Sequence, residues 1–117
     1  MLILQFLYSH TGFCQLRNIK NDTFWNTSDG TPIYSQGGGI FKFQDPGSGQ
    51  MKYYWYGVHY AEANIYRNAP HITQGTNTFE SVTCYSSDDL VNWKFEADVL
   101  TKDEVIKGKK NWVGRLG

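Results

Sequence analysis

The chain has 117 residues, with 11 Lys plus Arg balanced by 11 Asp plus Glu, so its formal charge is zero. That length suits one ordinary domain, and a balanced surface exerts no long-range pull on a nucleic-acid backbone. A hydrophobic share of 40% excludes a fully disordered chain, and 16% aromatic residues with 12 Gly and few helix formers point to an all-β fold with tight backbone corners.

Residues 1–30 form a leader and N-terminal segment. Met1–Tyr8 (MLILQFLY) is apolar and about as long as a signal-peptide core. No Lys or Arg precedes it and no small-residue cleavage site comes after it, so an export signal and a first β-strand both remain open. On the export reading the protein is secreted, periplasmic or extracellular. No run approaches the ~20 apolar residues of a membrane helix, so no membrane span is expected. Asp29-Gly30 is a turn signal.

Residues 31–117 form the domain proper. Thr31–Gln36 (TPIYSQ) is a short strand candidate, followed by the triplet Gly37–Gly39. Ile40–Gln44 (IFKFQ) alternates apolar and polar residues and predicts a strand. The cluster Asp45-Pro46-Gly47-Ser48-Gly49 predicts a turn, and Lys52–Tyr60 (KYYWYGVHY) a second strand buried on both faces, so the pair reads as a hairpin. Ala61–Phe79 is a long irregular loop, of the kind that forms functional rims or mobile inserts. Glu80–Ser86 (ESVTCYS) is a third strand. Ser87–Asn92 is a turn whose short polar side chains bond their own backbone. Trp93–Leu100 (WKFEADVL) is a fourth strand, its alternation placing Trp93, Phe95, Ala97 and Val99 on one face. Thr101–Lys110 is charged and solvated, and Asn111–Gly117 (NWVGRLG) opens another apolar element.

Two cysteines, Cys14 and Cys84, make no disulfide framework, and Cys84 reads as a small buried side chain. His10, His59 and His71 are scattered and no C-x-x-C pair occurs, so neither a metal nor a cofactor is expected. An up-and-down four-stranded meander is the unit of a β-propeller blade and cannot bury both its faces alone. The expected architecture is therefore one four-stranded blade, plus the start of a second, from a larger ring.

Three stretches carry a family resemblance: Ile33–Phe41 (IYSQGGGIF), Tyr53–Gly57 (YYWYG) and Val82–Trp93 (VTCYSSDDLVNW). In order and spacing they resemble glycoside hydrolase family 43, nearest the branch of the exo-β-1,3-galactanases. The resemblance implies a five-bladed β-propeller with a pocket on its axis. It also implies inverting cleavage of O-glycosidic bonds in plant-type galactan or arabinan side chains. Inversion needs a protonated carboxyl that donates to the leaving oxygen and an opposing carboxylate, roughly 6.5–9.5 Å away, that activates a water on the other side of the sugar ring. The family's base aspartate falls here within Gly37–Gly39. The branch's glutamate after Trp-Tyr-Gly is Val58, and its Glu-Arg-Pro-like segment matches Trp112–Gly117, keeping Arg115 but with Gly114 at the glutamate position. The catalytic acid belongs to a later blade. The catalytic residues are thus unknown within this chain, and the chain alone is expected to be inactive.

The candidate substrate-binding residues are Gln36, Gly37, Gly38, His59, Tyr60, Trp112 and Arg115. Gln36 offers a bidentate amide beside glycines that let a sugar approach the backbone, although crowded inner strands also favour glycine. His59 and Tyr60 end a strand at the pocket rim or at an ordinary exposed end. Trp112 and Arg115 line the pocket or make a structural contact between blades. The run Tyr53–Tyr56 suits sugar stacking and equally suits core packing. The alternative function is a non-catalytic carbohydrate-binding or adhesion module, which needs no carboxylate at its site. The partners expected on either reading are an oligosaccharide or polysaccharide and, for the enzyme, the rest of the propeller.

Overall fold

The computed structural model describes residues 18–107. Four strands form a single antiparallel sheet in chain order: β1 (Gln36–Gln44), β2 (Met51–Tyr60), β3 (Phe79–Ser87) and β4 (Lys94–Thr101). Two short helices, α1 (Ala63–Asn68) and α2 (Lys102–Lys107), come after β2 and β4. The fold is mostly β, as the composition predicts. Among the described residues no helix is long and apolar enough to cross a membrane.

The β1–β2 hairpin closes where the turn residues dictate. The Asp45 amide donates to the Gln50 carbonyl at 2.7 Å, and the Gly49 amide to the Asp45 carbonyl at 2.7 Å. The Asp45 carboxylate accepts from the Ser48 amide at 2.8 Å, the Ser48 hydroxyl at 2.7 Å and the Tyr54 hydroxyl at 2.9 Å. These donors hold Asp45 down at about 2, Ser48 contributing most, and the same contact pushes Tyr54 up to about 12.

β1 begins at Gln36 rather than Ile40, because the glycine triplet lies inside the strand. The pairing register with β2 shifts between Gln36 and Gly39, and Gly37 takes the left-handed region at φ 63°. A Cβ on Gly38 would stand 1.6 Å from the Tyr56 carbonyl oxygen, so only glycine fits. The triplet is thus a β-bulge packed against β2.

One face of the sheet is covered by the segment before β1. Trp55 meets Trp25 and Trp93 edge-on, with centroids 5.9 and 5.3 Å away. Tyr34 stacks flat on His59 at 4.7 Å. The Thr83 hydroxyl reaches the carbonyls of Tyr34 (2.8 Å) and Gly57 (3.1 Å), while the Tyr34 amide donates to the Tyr85 hydroxyl. The chain crosses so close at Ser35 that a Cβ on Gly57 would lie 2.5 Å from the Ser35 carbonyl carbon. Trp93, at 1% exposed, anchors this core, and its carbonyl accepts from the Ser28 amide. On the opposite face Phe41 and Phe43 stack on each other with centroids 6.0 Å apart and remain 51% and 49% exposed.

Several expectations require correction. Thr31–Gln36 is no separate strand: Pro32 makes a single bridge to Asn26 across the Asp29-Gly30 turn, the chain then passes over β2, and Gln36 already belongs to β1. The loop 61–79 contains α1, whose Ala69 amide closes on the Ile65 carbonyl before Pro70 ends it. The segment after Leu100 forms α2, with Val105 buried and Glu104 reaching back to Thr101: the Thr101 amide and hydroxyl donate to Glu104 Oε2 at 2.8 and 2.9 Å. Lastly, β4 shifts register against β3 twice, so Phe95 pairs with Tyr85 while Ala97 pairs with Cys84 on the other face. Phe95, Ala97 and Val99 are exposed. β2 is mostly half-buried, full burial being confined to Gly57 and Val58. Cys84 is buried, and burial pushes its thiol up.

Candidate functional site

A cleft of about 610 Å³ opens where the end of β2, α1 and the loop after α1 meet the segment before β1. That volume falls in the range of small-ligand sites. Its position stems from local chemistry. The crossing at Ser35 brings Ile33–Gln36 to one wall, and Val58, 1% exposed, with Trp55 and Tyr60 supplies β2's contribution. The opposite wall is α1 with Pro70, Ile72, Thr73, Gln74 and Asn77. Tyr34 ties the two walls by donating from its hydroxyl to Asn64 Oδ1 at 3.0 Å.

Phe24 and Tyr66 form the aromatic part of the rim, packed edge to face at 5.8 Å. Arg67 is held at this corner by three contacts. Its Nη1 donates to the Trp25 carbonyl at 3.1 Å, its Nη2 to Asn26 Oδ1, and its guanidinium lies over the Phe24 ring at 5.4 Å. Arg67 therefore pins the N-terminal segment to α1.

Among the described residues that line the cleft, Glu62 is the single carboxylate. Oε1 accepts from the hydroxyls of Thr76 (2.8 Å) and Thr78 (2.6 Å), and Oε2 from the Thr78 amide (2.8 Å). These bonds, Thr78's foremost, hold it down at about 2. Glu62 is therefore ionised at neutral pH and clasps the loop wall. A carboxylate has about four acceptor positions, so three bonds leave one for a ligand hydroxyl. A group so acidic cannot serve as a general acid near neutrality. Among the described residues no cluster of three or more His, Cys, Asp or Glu stands together to hold a metal.

The residues expected to bind substrate separate. Gln36 and Tyr60 line the cleft. Gly37 and Gly38 build the bulge that starts β1 and do not line it, and His59 lies under Tyr34 on the covered face. Trp112 and Arg115 fall outside the described residues, as do Gly114 and Cys14. Val58 is a buried wall residue. Sequence reasoning missed Glu62, Arg67, Phe24 and Tyr66. The signal was present: Ala61–Asn68 is rich in helix formers and stops at Pro70, and a helix there brings Glu62 and Arg67 to one turn-and-a-half of chain.

No family model matches this sequence, and comparisons with curated proteins and with solved structures likewise find no match.

Proposed function

We propose that the chain is a carbohydrate-active unit: one blade of a family 43-like, five-bladed propeller in an exported glycoside hydrolase. On this reading the whole enzyme cleaves galactan or arabinan side chains with inversion, and its acid and base come from other blades. The observation that carries the proposal is the cleft, where aromatic edges (Phe24, Trp55, Tyr66) meet uncharged hydrogen-bonding groups (Gln36, Tyr60, Gln74, Asn77). Aromatic faces stack on sugar C–H surfaces, and amides and phenols bond hydroxyl pairs. The consecutive antiparallel meander and the exposed Phe41–Phe43 face are what a blade awaiting neighbours would have.

Titration with galacto- and arabino-oligosaccharides, monitored by tryptophan fluorescence, tests it. Binding should perturb the emission of Trp55, and a Trp55→Phe variant should lose the signal. No binding by either sugar series would overturn the proposal. The chain alone should not hydrolyse nitrophenyl galactoside or arabinofuranoside, and turnover would refute the assignment of the acid to another blade.

Glu62 favours a second reading. The cleft's carboxylate is committed to holding a loop, an arrangement that suits a module binding glycan without cutting it. Sugar binding that persists with no hydrolysis by any longer form of the protein would select this reading.

A further inference from the structure

The chain between β2 and β3 supplies one side of the cleft, and its two halves are held in different ways. α1 is tied to the segment before β1. Arg67 donates to the Trp25 carbonyl at 3.1 Å and to Asn26 Oδ1, Tyr34 donates to Asn64 at 3.0 Å, and Tyr66 packs on Phe24. Residues 70–77 are held more lightly. All are exposed except the half-buried Gln74. The bonds from the Ile72 amide to the Ala69 carbonyl and from Gln74 to the Ile72 carbonyl are local. Among the described residues, the hydrogen bond that ties this segment to the rest of the fold runs from Thr76 to Glu62, and Thr78 adds two more to the same carboxylate just past the segment's end.

From this asymmetry we infer that residues 70–77 are a flap over the cleft and that Glu62 is its latch, a positioning residue that sets how fast a ligand enters and leaves while α1 stands still. The inference rests on the glycan reading for the ligand admitted, not for the latch itself. Glu62 is free for this task. It stands at the N-cap of α1, yet its side chain makes no capping bond, and the bond that starts the helix uses its backbone carbonyl, which accepts from the Tyr66 amide at 3.0 Å. Gly75 lies in open space, with nothing within 4 Å of where a Cβ would stand, and gives the flap a permissive pivot. Each bond to Glu62 trades against a bond to water at modest net cost, so the latch releases and re-forms without unfolding the sheet.

The test joins limited proteolysis of the full chain by subtilisin with stopped-flow tryptophan fluorescence, using galactose and arabinose trisaccharides as probes. Glu62→Ala should raise cleavage within residues 70–77 about tenfold or more, since three bonds are lost together. Cleavage in α1 and the thermal melt should stay as in the parent. Association and dissociation of the bound sugar should both quicken. Glu62→Gln keeps an acceptor for the two threonine hydroxyls and loses the one facing the Thr78 amide, so it should fall between parent and Glu62→Ala. Cleavage at 70–77 no faster than in the parent would overturn the inference. Cleavage spread over α1 with a lowered melt would overturn it too, by showing that Glu62 supports the helix. Faster cleavage with unchanged sugar rates would remove the flap as the entrance. Failure of the parent to bind either sugar would bring down the glycan reading, and the proteolysis, which needs no ligand, would still decide the latch.

Discussion

β3 and β1 reverse the usual relation between polarity and burial. Ser81–Ser87 of β3 is rich in hydroxyls and is buried without a break, whereas β1 carries Ile40, Phe41 and Phe43 and leaves all three exposed. The polar strand is inside because its hydroxyls find partners there. Thr83 reaches two backbone carbonyls, Ser81 donates to Asp98 at 2.6 Å and Ser86 to Glu96 at 2.6 Å. The apolar strand is outside because it sits at the sheet edge and nothing among the described residues covers Phe41 and Phe43. Burial in this chain depends on position in the meander and the supply of hydrogen-bond partners more than on side-chain hydrophobicity.

The contrast can be broken most forcefully at the seam joining β1 to the sheet. Gly38→Ala would drive a methyl into the Tyr56 carbonyl, and we expect about 3 kcal/mol of destabilisation in chemical denaturation. A variant as stable as the parent would show that the bulge relaxes freely. Next is Thr83→Val, which keeps the shape of β3 but strips the carbonyls of Tyr34 and Gly57 of their donor. A loss of about 1–3 kcal/mol is expected, because the stranded groups are buried. A neutral result would mean that β3 is buried for its shape alone.

The joint change Phe41→Ser and Phe43→Ser tests the other strand. Stability should stay within about 0.5 kcal/mol, as for exposed positions generally. Light scattering should instead reveal a change in association: the parent chain should self-associate through this face and the variant much less. A monomeric parent with a cooperative melt would remove the need for any covering partner.

The smallest effect is electrostatic. Asp45 stands near 2 in the fold against an ordinary 3.8, so its stabilisation is complete above the ordinary value and fades as pH falls through about 2. Tyr54 stands near 12 against 10.0, so its contribution is complete below pH 10 and fades as pH rises through about 12. Asp45→Asn should flatten both slopes in denaturation midpoints measured across pH, and unchanged slopes would dissociate this turn from the acid and alkaline limits of the fold.

Much of the sheet was legible in the sequence. Asp45–Gly49 announced its turn through residues that satisfy their own backbone, and alternation in Ile40–Gln44 and a dense aromatic run in Lys52–Tyr60 marked their strands. Period-two reasoning failed in β4, because each bulge inserts a residue and turns every later side chain of the strand to the other face. The cleft was half legible: Gln36 and Tyr60 stood out as polar residues at strand ends. Glu62 and Arg67 did not, since their roles depend on Thr76, Thr78 and Trp25, partners that only the folded chain brings within reach. The Thr101–Glu104 spacing was a readable capping signal that a charged stretch disguised.

The paired register breaks in β4 have a bearing on how copies of the molecule can meet. An incoming strand needs an even row of donors and acceptors, which β4, twice interrupted, does not offer, while β1 from Gly39 to Gln44 runs without interruption. Growth by strand addition is therefore one-sided. Two molecules joined rim to rim through β1 would each turn a blunt margin outward, and such a pair is a dead end for a filament.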